Sequence, residues 1–220
     1  RRYYWEEGEL FYQVIQPGRN NWNCPIFAGS AAMFRRKALE DVGYIAVETI
    51  TEDMHTGLRI NAKGWKSKAI TERMIAGQAA PDVTTYHSQR LRWGSGNLSI
   101  MSYDHPMLTR GLKFSQRLSY LASMINWSSG LFKFLIYLTP ILMMFTGIPP
   151  VNKFTIPLAV ITVVYLILSW TAVEVASNGH ASFISSELFS MTSFWTQIRA
   201  TFRWFFFARR RQQFVVTRDR

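Results

Sequence analysis

The chain has 220 residues, 48% of them hydrophobic and 18% charged, totals that would suit an ordinary soluble domain. The charges are not evenly spread. Residues 1–118 carry 16 Lys/Arg and 11 Asp/Glu, residues 119–182 carry only Lys133, Lys153 and Glu174, and residues 183–220 carry seven Arg and two acids, so a polar region precedes a membrane-like block and a basic tail. That layout argues against a wholly soluble protein. The net charge of +11 admits nucleic acid, an anionic membrane surface or a phosphorylated substrate. Because Arg199, Arg203, Arg209, Arg210 and Arg211 crowd just after the apolar block, the membrane surface is favoured and nucleic acid disfavoured. The single Cys24 excludes an intrachain disulfide framework. The chain opens on Arg1 with no signal peptide, and reads as an internal piece of a larger polypeptide.

Ile26 to Phe34 is apolar and broken by Gly29 and Ser30, which predicts a buried strand or loop entering a helix near Arg35 to Val42 that Gly43 ends. Thr51, Glu52 and Asp53 precede apolar Met54, Leu58, Ile60 and Ala62. This predicts a helix with Thr51 as N-cap and acids favoured by the dipole in its first turn. Lys66 to Ile70 reads as a short strand and Gly77 to Pro81 as a turn. Residues 1–118 are therefore expected to mix helix and strand.

Gln89 to Met101 mixes Leu91, Trp93, Leu98, Ile100 and Met101 with Gln89, Arg90, Arg92 and Asn97, as an interfacial helix would, although Gly94 and Gly96 count against a helix. A first spanning helix is expected from near Leu121, with Lys133 turned away from hydrocarbon. Gly147, Pro149, Pro150 and Asn152 make a turn. Phe154 to Val173 is then uncharged for 20 residues, about the roughly 30 Å that a bilayer core demands. Phe183 to Phe207 is aromatic but carries Glu187, Gln197, Arg199 and Arg203, which suits an amphipathic helix in the headgroup layer. Two spans return the chain to its starting side, so the polar region and the basic tail share the cytoplasmic face.

Three constellations could carry chemistry. In Thr51, Glu52, Asp53 an acid at a helix start can take a proton from an incoming nucleophile. On spacing alone the same triplet also reads as a capped surface helix. In Gln89, Arg90, Leu91, Arg92, Trp93 an Arg fork can grip a diphosphate while Trp offers a face for a sugar ring. The same residues would equally make a membrane anchor. In Phe27, Ala28, Gly29, Ser30 the glycine permits close backbone approach to a ligand, or simple packing. His55 and His87 could be ligands or bases, but no metal-spaced cluster accompanies them.

In this order and at these separations, IQPGRNNWNCPIFAGSAAMFRRKALEDVGY, VETITEDMHTGLRINAKGW, QRLRW, GLKFSQRLSYLASM and FVVTRD resemble the processive family 2 glycosyltransferases, and among them the cellulose synthases. The resemblance implies an α/β fold: the C-terminal part of a GT-A type glycosyltransferase domain over residues 1–118, two transmembrane helices over 119–182, an amphipathic interfacial helix over 183–208 and the start of a gating loop over 209–220. It implies inverting transfer of glucose from UDP-glucose to a growing β-1,4-glucan, coupled to export across a bacterial inner membrane, with the catalytic part cytoplasmic. A related synthase of hyaluronan, chitin or another β-glucan stays open, as does a non-catalytic membrane subunit.

By the same resemblance Asp53, in Thr51-Glu52-Asp53, would be the general base. Gln89 and Arg92 would contact the donor diphosphate, Trp93 would stack under the acceptor sugar, and Phe27, Gly29 and Ser30 would lie beside the acceptor. Phe214, Val216, Thr217 and Arg218 would belong to the gating loop. Mg2+ or Mn2+ would be held upstream, since no DDG or DxD pattern occurs here, and no residue of this chain is assigned to metal. The implied partners are a UDP-sugar donor, the β-glucan, the lipid bilayer and a periplasmic accessory subunit. Two positions depart from the family pattern. Ala28 stands where Cys is usual, and Asp219 stands where the gating loop has Lys, which leaves Arg218 or Arg220 to meet phosphate.

Overall fold

The computed structural model describes residues 7–29, 31–75, 77, 80–148 and 155–207. The chain enters through an unbroken helical run: α1 (Glu7–Leu10), a π-helical segment Phe11–Ile15, α2 (Gln16–Arg19) and a 3-10 turn Asn20–Trp22. Asn23 stops the run in the left-handed region at φ 53°, a conformation that Asn tolerates. Then follow α3 (Arg36–Glu40), α4 (Glu52–Ala62), α5 (Val83–Tyr103), α6 (Phe114–Ile125), a 3-10 turn Asn126–Ser128, α7 (Ser129–Thr146), α8 (Ile156–Ser177) and α9 (Phe183–Phe207).

No β-strand occurs among the described residues, so the α/β expectation, and with it a GT-A sheet within this segment, is overturned. The two stretches behind that expectation are irregular, and side-chain amides take the place that a neighbouring strand would fill. Asn23 donates to the Trp65 carbonyl at 3.0 Å and accepts from the Ser67 N–H at 2.7 Å. Asn20 does the same for both backbone groups of Ala69, at 2.9 and 2.7 Å. Gln16 likewise accepts from the Ile26 N–H at 2.7 Å and donates to the Ile26 carbonyl. Apolar patterning is compatible with a strand, but a strand needs a second strand to complete its ladder.

The buried core joins Cys24, Met54 and Leu58 of α4, Ile100 of α5, Leu112, and Tyr120 and Met124 of α6. Polar ties fix the same elements. Arg19 donates to the Cys24 carbonyl at 2.8 Å and to Ser123 Oγ at 2.6 Å, and Asn61 donates to Tyr120 Oη at 2.8 Å. Gly111, at φ 89°, is pressed so closely on the end of α4 that a Cβ there would overlap the Ala62 carbonyl, which only glycine avoids.

The helical stretch Phe114–Thr146 has mean hydropathy 1.5, and α8 has mean hydropathy 2.2. At 1.5 Å per residue the 22 residues of α8 reach roughly 33 Å, enough to cross a bilayer core. Ile161, Tyr165 and Leu168 of α8 are more than half exposed, a surface that lipid accommodates and water does not. Both stretches are long and apolar enough to cross a membrane, consistent with a membrane-associated chain. Lys133 meets Glu187 of α9 at 2.8 Å, so the one charge on α7 is paired, as its cost in an apolar setting requires. α9 covers α5 and α7 through close approaches. A Cβ on Gly94 would meet Trp127 and Ala200, and one on Gly130 would meet the Phe194 carbonyl. His87 Nδ1 lies 2.8 Å from Thr196 Oγ1, and Trp204 donates to Ser102 Oγ at 3.1 Å.

Candidate functional site

α5 runs unbroken through Gly94 and Gly96, contrary to the reading of those residues as a weakness. Its start at Val83 is set by Asp82, whose carboxylate accepts from the Thr85 N–H at 2.8 Å. Gln89, Arg92, Trp93 and Gly96 are spaced i, i+3, i+4, i+7 and therefore share one face. At Gly96 this face touches the segment entering α4: a Cβ there would stand 2.7 Å from Ile50 Cγ2 and from Thr51 Cγ2. The glycines are thus approach points, Gly94 toward α9 and Gly96 toward Thr51. Side chains at 89, 92 and 93 sit about one to two turns back along the same stripe, roughly 5 to 10 Å from that contact along the axis.

Asp53 lies in the first turn of α4 and is partly buried. Burial pushes its carboxyl above the ordinary Asp value. The Met54 N–H, donating to Oδ1 at 2.7 Å, opposes this, and the neighbouring Glu52 charge adds to the rise. A raised value makes the group a more willing proton acceptor near neutral pH. Thr51 occupies the N-cap position, yet its hydroxyl makes no cap hydrogen bond and, among the described residues, is buried without a partner against Gly96. The capping role expected of Thr51 is therefore not fulfilled.

The Phe27–Gly29 segment rests on α4. A Cβ on Gly57 would lie 3.7 Å from Phe27 Cβ, and one on Gly29 would lie 2.8 Å from Asp53 Oδ2. Residues 53 and 57 are one turn apart, so the loop lies along a single face of α4. The Phe27 ring packs edge-on against Phe34 at 5.0 Å. Phe27, Gly29 and Asp53 are thereby brought together, and α4 is sandwiched between this loop and the Gln89/Arg92/Trp93 helix. The Arg90 guanidinium lies 5.0 Å from the ring centroids of both Tyr86 and Trp93, so Trp93 already stacks with a cation and presents only part of its surface. Ser30, Phe214, Val216, Thr217 and Arg218 fall outside the described residues.

Sequence reasoning missed a polar cluster behind Asp53. His55, fully buried, has Nδ1 3.1 Å from Thr49 Oγ1 and Nε2 2.8 Å from Asp104 Oδ2. Arg59 donates through Nε to the same Oδ2 at 2.7 Å and through its terminal nitrogens to Glu48 at 3.2 and 3.0 Å. Burial holds His55 below the ordinary His value, while for Glu48 and Asp104 burial is outweighed by the hydrogen bonds from Arg59, which lower both from their ordinary values. The available signal was the i, i+4 spacing of His55 and Arg59. Asp104, in a separate segment, gave no local cue.

Among the described residues no group of three or more His, Cys, Asp and Glu could hold a metal ion. These residues do not fit a divalent cation site. A cavity of about 680 Å³ opens between α5, α7 and α9, lined by Leu91, Phe134, Trp195, Phe202, Arg199 and Arg203 among others; none of the predicted site residues among the described ones lines it.

Residues 8–208 match the family described as glycosyl transferase family group 2, and the chain belongs to that family. It is 42% identical over 141 residues to the cellulose synthase catalytic subunit (UDP-forming) of Komagataeibacter sucrofermentans, covering 64% of this chain and 19% of that protein. It is 44% identical over 124 residues to the protein so named in Xanthomonas axonopodis pv. citri (56% and 17%), and 41% identical over 133 residues to that of Pseudomonas fluorescens (60% and 18%). The chain thus spans less than a fifth of these relatives.

Proposed function

We propose that this segment forms the acceptor side of a membrane-embedded synthase that transfers glucose from UDP-glucose to the non-reducing end of a β-1,4-glucan and passes the product through the membrane. In the reaction the acceptor hydroxyl oxygen bonds to the anomeric carbon, the bond from that carbon to the phosphate oxygen breaks with inversion, and UDP departs. Asp53 takes the hydroxyl proton. Arg92, with Gln89, steadies the charge that builds on the diphosphate. Trp93 supports the terminal sugar, with Phe27, Gly29 and Ser30 alongside. Phe214, Val216, Thr217 and Arg218, which lie outside the described residues, are assigned to the nucleotide-side gating loop. Mg2+ or Mn2+, bound by ligands elsewhere in the polypeptide, would share the diphosphate charge. The catalytic portion lies on the cytoplasmic side of a bacterial inner membrane, and a periplasmic accessory subunit receives the polymer.

The observation that carries this reading is the seating of Gly29 against the carboxylate of a burial-raised Asp53, on a helix that contacts the QxxRW stripe at Gly96. The names of the relatives favour cellulose over hyaluronan or chitin as product. The test is Asp53→Asn in the full-length enzyme with radiolabelled UDP-glucose. Polymer formation is expected to vanish while UDP-glucose binding persists, and linkage analysis of the parent product should give β-1,4-glucan. Incorporation within a few-fold of the parent would remove Asp53 as the base.

A further inference from the structure

The cluster behind Asp53 has a geometry that a merely stabilising network would not need. Asp104 sits at the C-cap of α5, where the helix dipole disfavours negative charge, yet its carboxylate stays ionised because His55 and Arg59 both bind Oδ2. His55 lies two residues past Asp53, and its other ring nitrogen meets Thr49, two residues before Thr51. One buried imidazole therefore ties three things together: the loop entering α4, the first turn of α4 and the end of α5. With Nε2–H donated to the carboxylate, Nδ1 is left to accept from the Thr49 hydroxyl.

Gly96 supplies the second attachment, since it presses on Ile50 and Thr51. Gly96, Ile100 and Asp104 follow one another at i, i+4, i+8 on α5, the middle one in the core with Met54 and Leu58. α4 is thus pinned to α5 at two points eight residues, or roughly 12 Å, apart. Together with the Ile100 packing between them, these contacts set where Asp53 stands relative to the helix that carries Gln89, Arg92 and Trp93. Further back, Thr56 Oγ1 accepts from the Ala46 N–H at 2.9 Å, so α4 also holds the start of its own entry loop.

The geometry points to His55 and Asp104 as positioning residues, which set the Asp53 carboxylate against the acceptor by locking α4 to α5 without touching substrate. This rests on the reading of Asp53 as the base. Neither residue should influence donor binding, because the lock lies at the opposite end of α5 from Gln89. An unlocked α4 would misplace the base by a fraction of its own width, and misplacement on that scale costs turnover rather than affinity.

The experiment uses the full-length enzyme in membranes, with Asp104→Asn, His55→Gln, their combination, Asp104→Glu and Asp53→Asn. Expected is a fall in kcat of roughly tenfold or more for Asp104→Asn and for His55→Gln, with the UDP-glucose KM within about twofold. The double variant should be about as impaired as either single one, because one lock is broken only once. Asp104→Glu, which keeps the charge, should recover part of the rate. Melting curves accompany each assay, and every rate is measured well below the melting temperature. If Asp104→Asn fails to assemble, His55→Gln carries the same expectation. Parental kcat in both single variants while Asp53→Asn is inactive overturns the positioning role alone. So does a loss that disappears on cooling, since that is the mark of a purely structural contact. An active Asp53→Asn overturns the base assignment itself and the positioning role with it.

Discussion

Gly29 lies against the Asp53 carboxylate so closely that a Cβ there would stand 2.8 Å from Oδ2. Its φ of +72° adds a second demand for glycine. Gly29→Ala should therefore cost about 1–2 kcal/mol of stability from the left-handed backbone. It should cost activity out of proportion, because the methyl displaces the carboxylate. A loss of roughly tenfold or more in glucose incorporation is expected in a variant that still folds. Activity within twofold of the parent would mean that the carboxylate moves without consequence.

The raised Asp53 value carries a stability consequence of its own sign. An acid whose value is raised on folding contributes stability that is full below its unfolded value, about 3.9, and is lost as pH rises through the folded value. At neutral pH the ionised group is thus a burden on the fold. Asp53→Asn should melt at or above the temperature of the parent at pH 7.5, and the difference should shrink as pH approaches 4. An Asn variant that melts well below the parent at pH 7.5 would show that the carboxylate is structural.

His55 works in the opposite direction. Burial holds its value down, against the pull of Asp104 and Glu48, and Arg59 adds to the depression. The unfolded chain therefore takes up a proton near pH 6.5 before the folded chain does. Stability contributed by neutral His55 is present above that value and declines as pH falls through the folded one. Asp104 and Glu48, both depressed, add losses only at more acid pH, below their unfolded values near 4. His55→Gln should flatten the dependence of melting temperature on pH just below 6.5 and leave the steeper acid loss in place. An unchanged slope in that window would mean that His55 does not titrate there on unfolding.

Helices whose apolar period is local were legible in the residues. The predicted start of the Met54 helix, the 183–207 helix and the second apolar span all correspond to helices in the structure, with Phe154 itself outside the described residues. The strand readings at Ile26–Phe34 and Lys66–Ile70 failed because a strand is defined by its partner. Here the partners of Ile26, Trp65, Ser67 and Ala69 are Gln16, Asn20 and Asn23, more than forty residues away from the second stretch. Gly94 and Gly96 misled for a related reason: low helix propensity is overridden where Trp127, Ala200 and Thr51 need the space. Motif order marked Asp53, Gly29 and the QxxRW face, but the Asp104 contact with His55 spans 49 residues and no local pattern announces it.

The amide clamps yield the last expectation, and they separate stability from function within one motif. Asn23→Ala removes the partner of the Trp65 carbonyl and the Ser67 N–H, and Gln16→Ala removes both partners of Ile26. Each leaves partly buried backbone groups unmet, at a cost of about 1–3 kcal/mol. Their effects on catalysis should differ. Ile26 begins the loop that seats Gly29 on Asp53, so Gln16→Ala should depress turnover beyond its effect on melting. Trp65 and Ser67 follow the far end of α4, roughly 15 Å from Asp53 along the helix, so Asn23→Ala should lower the melting temperature and leave kcat near the parent value. Asn23→Asp keeps the acceptor for Ser67 but turns a carboxylate toward the Trp65 carbonyl, and it should melt no higher than Asn23→Ala. Equal losses of kcat in Gln16→Ala and Asn23→Ala, measured below both melting transitions, would show that the two clamps act only through global stability.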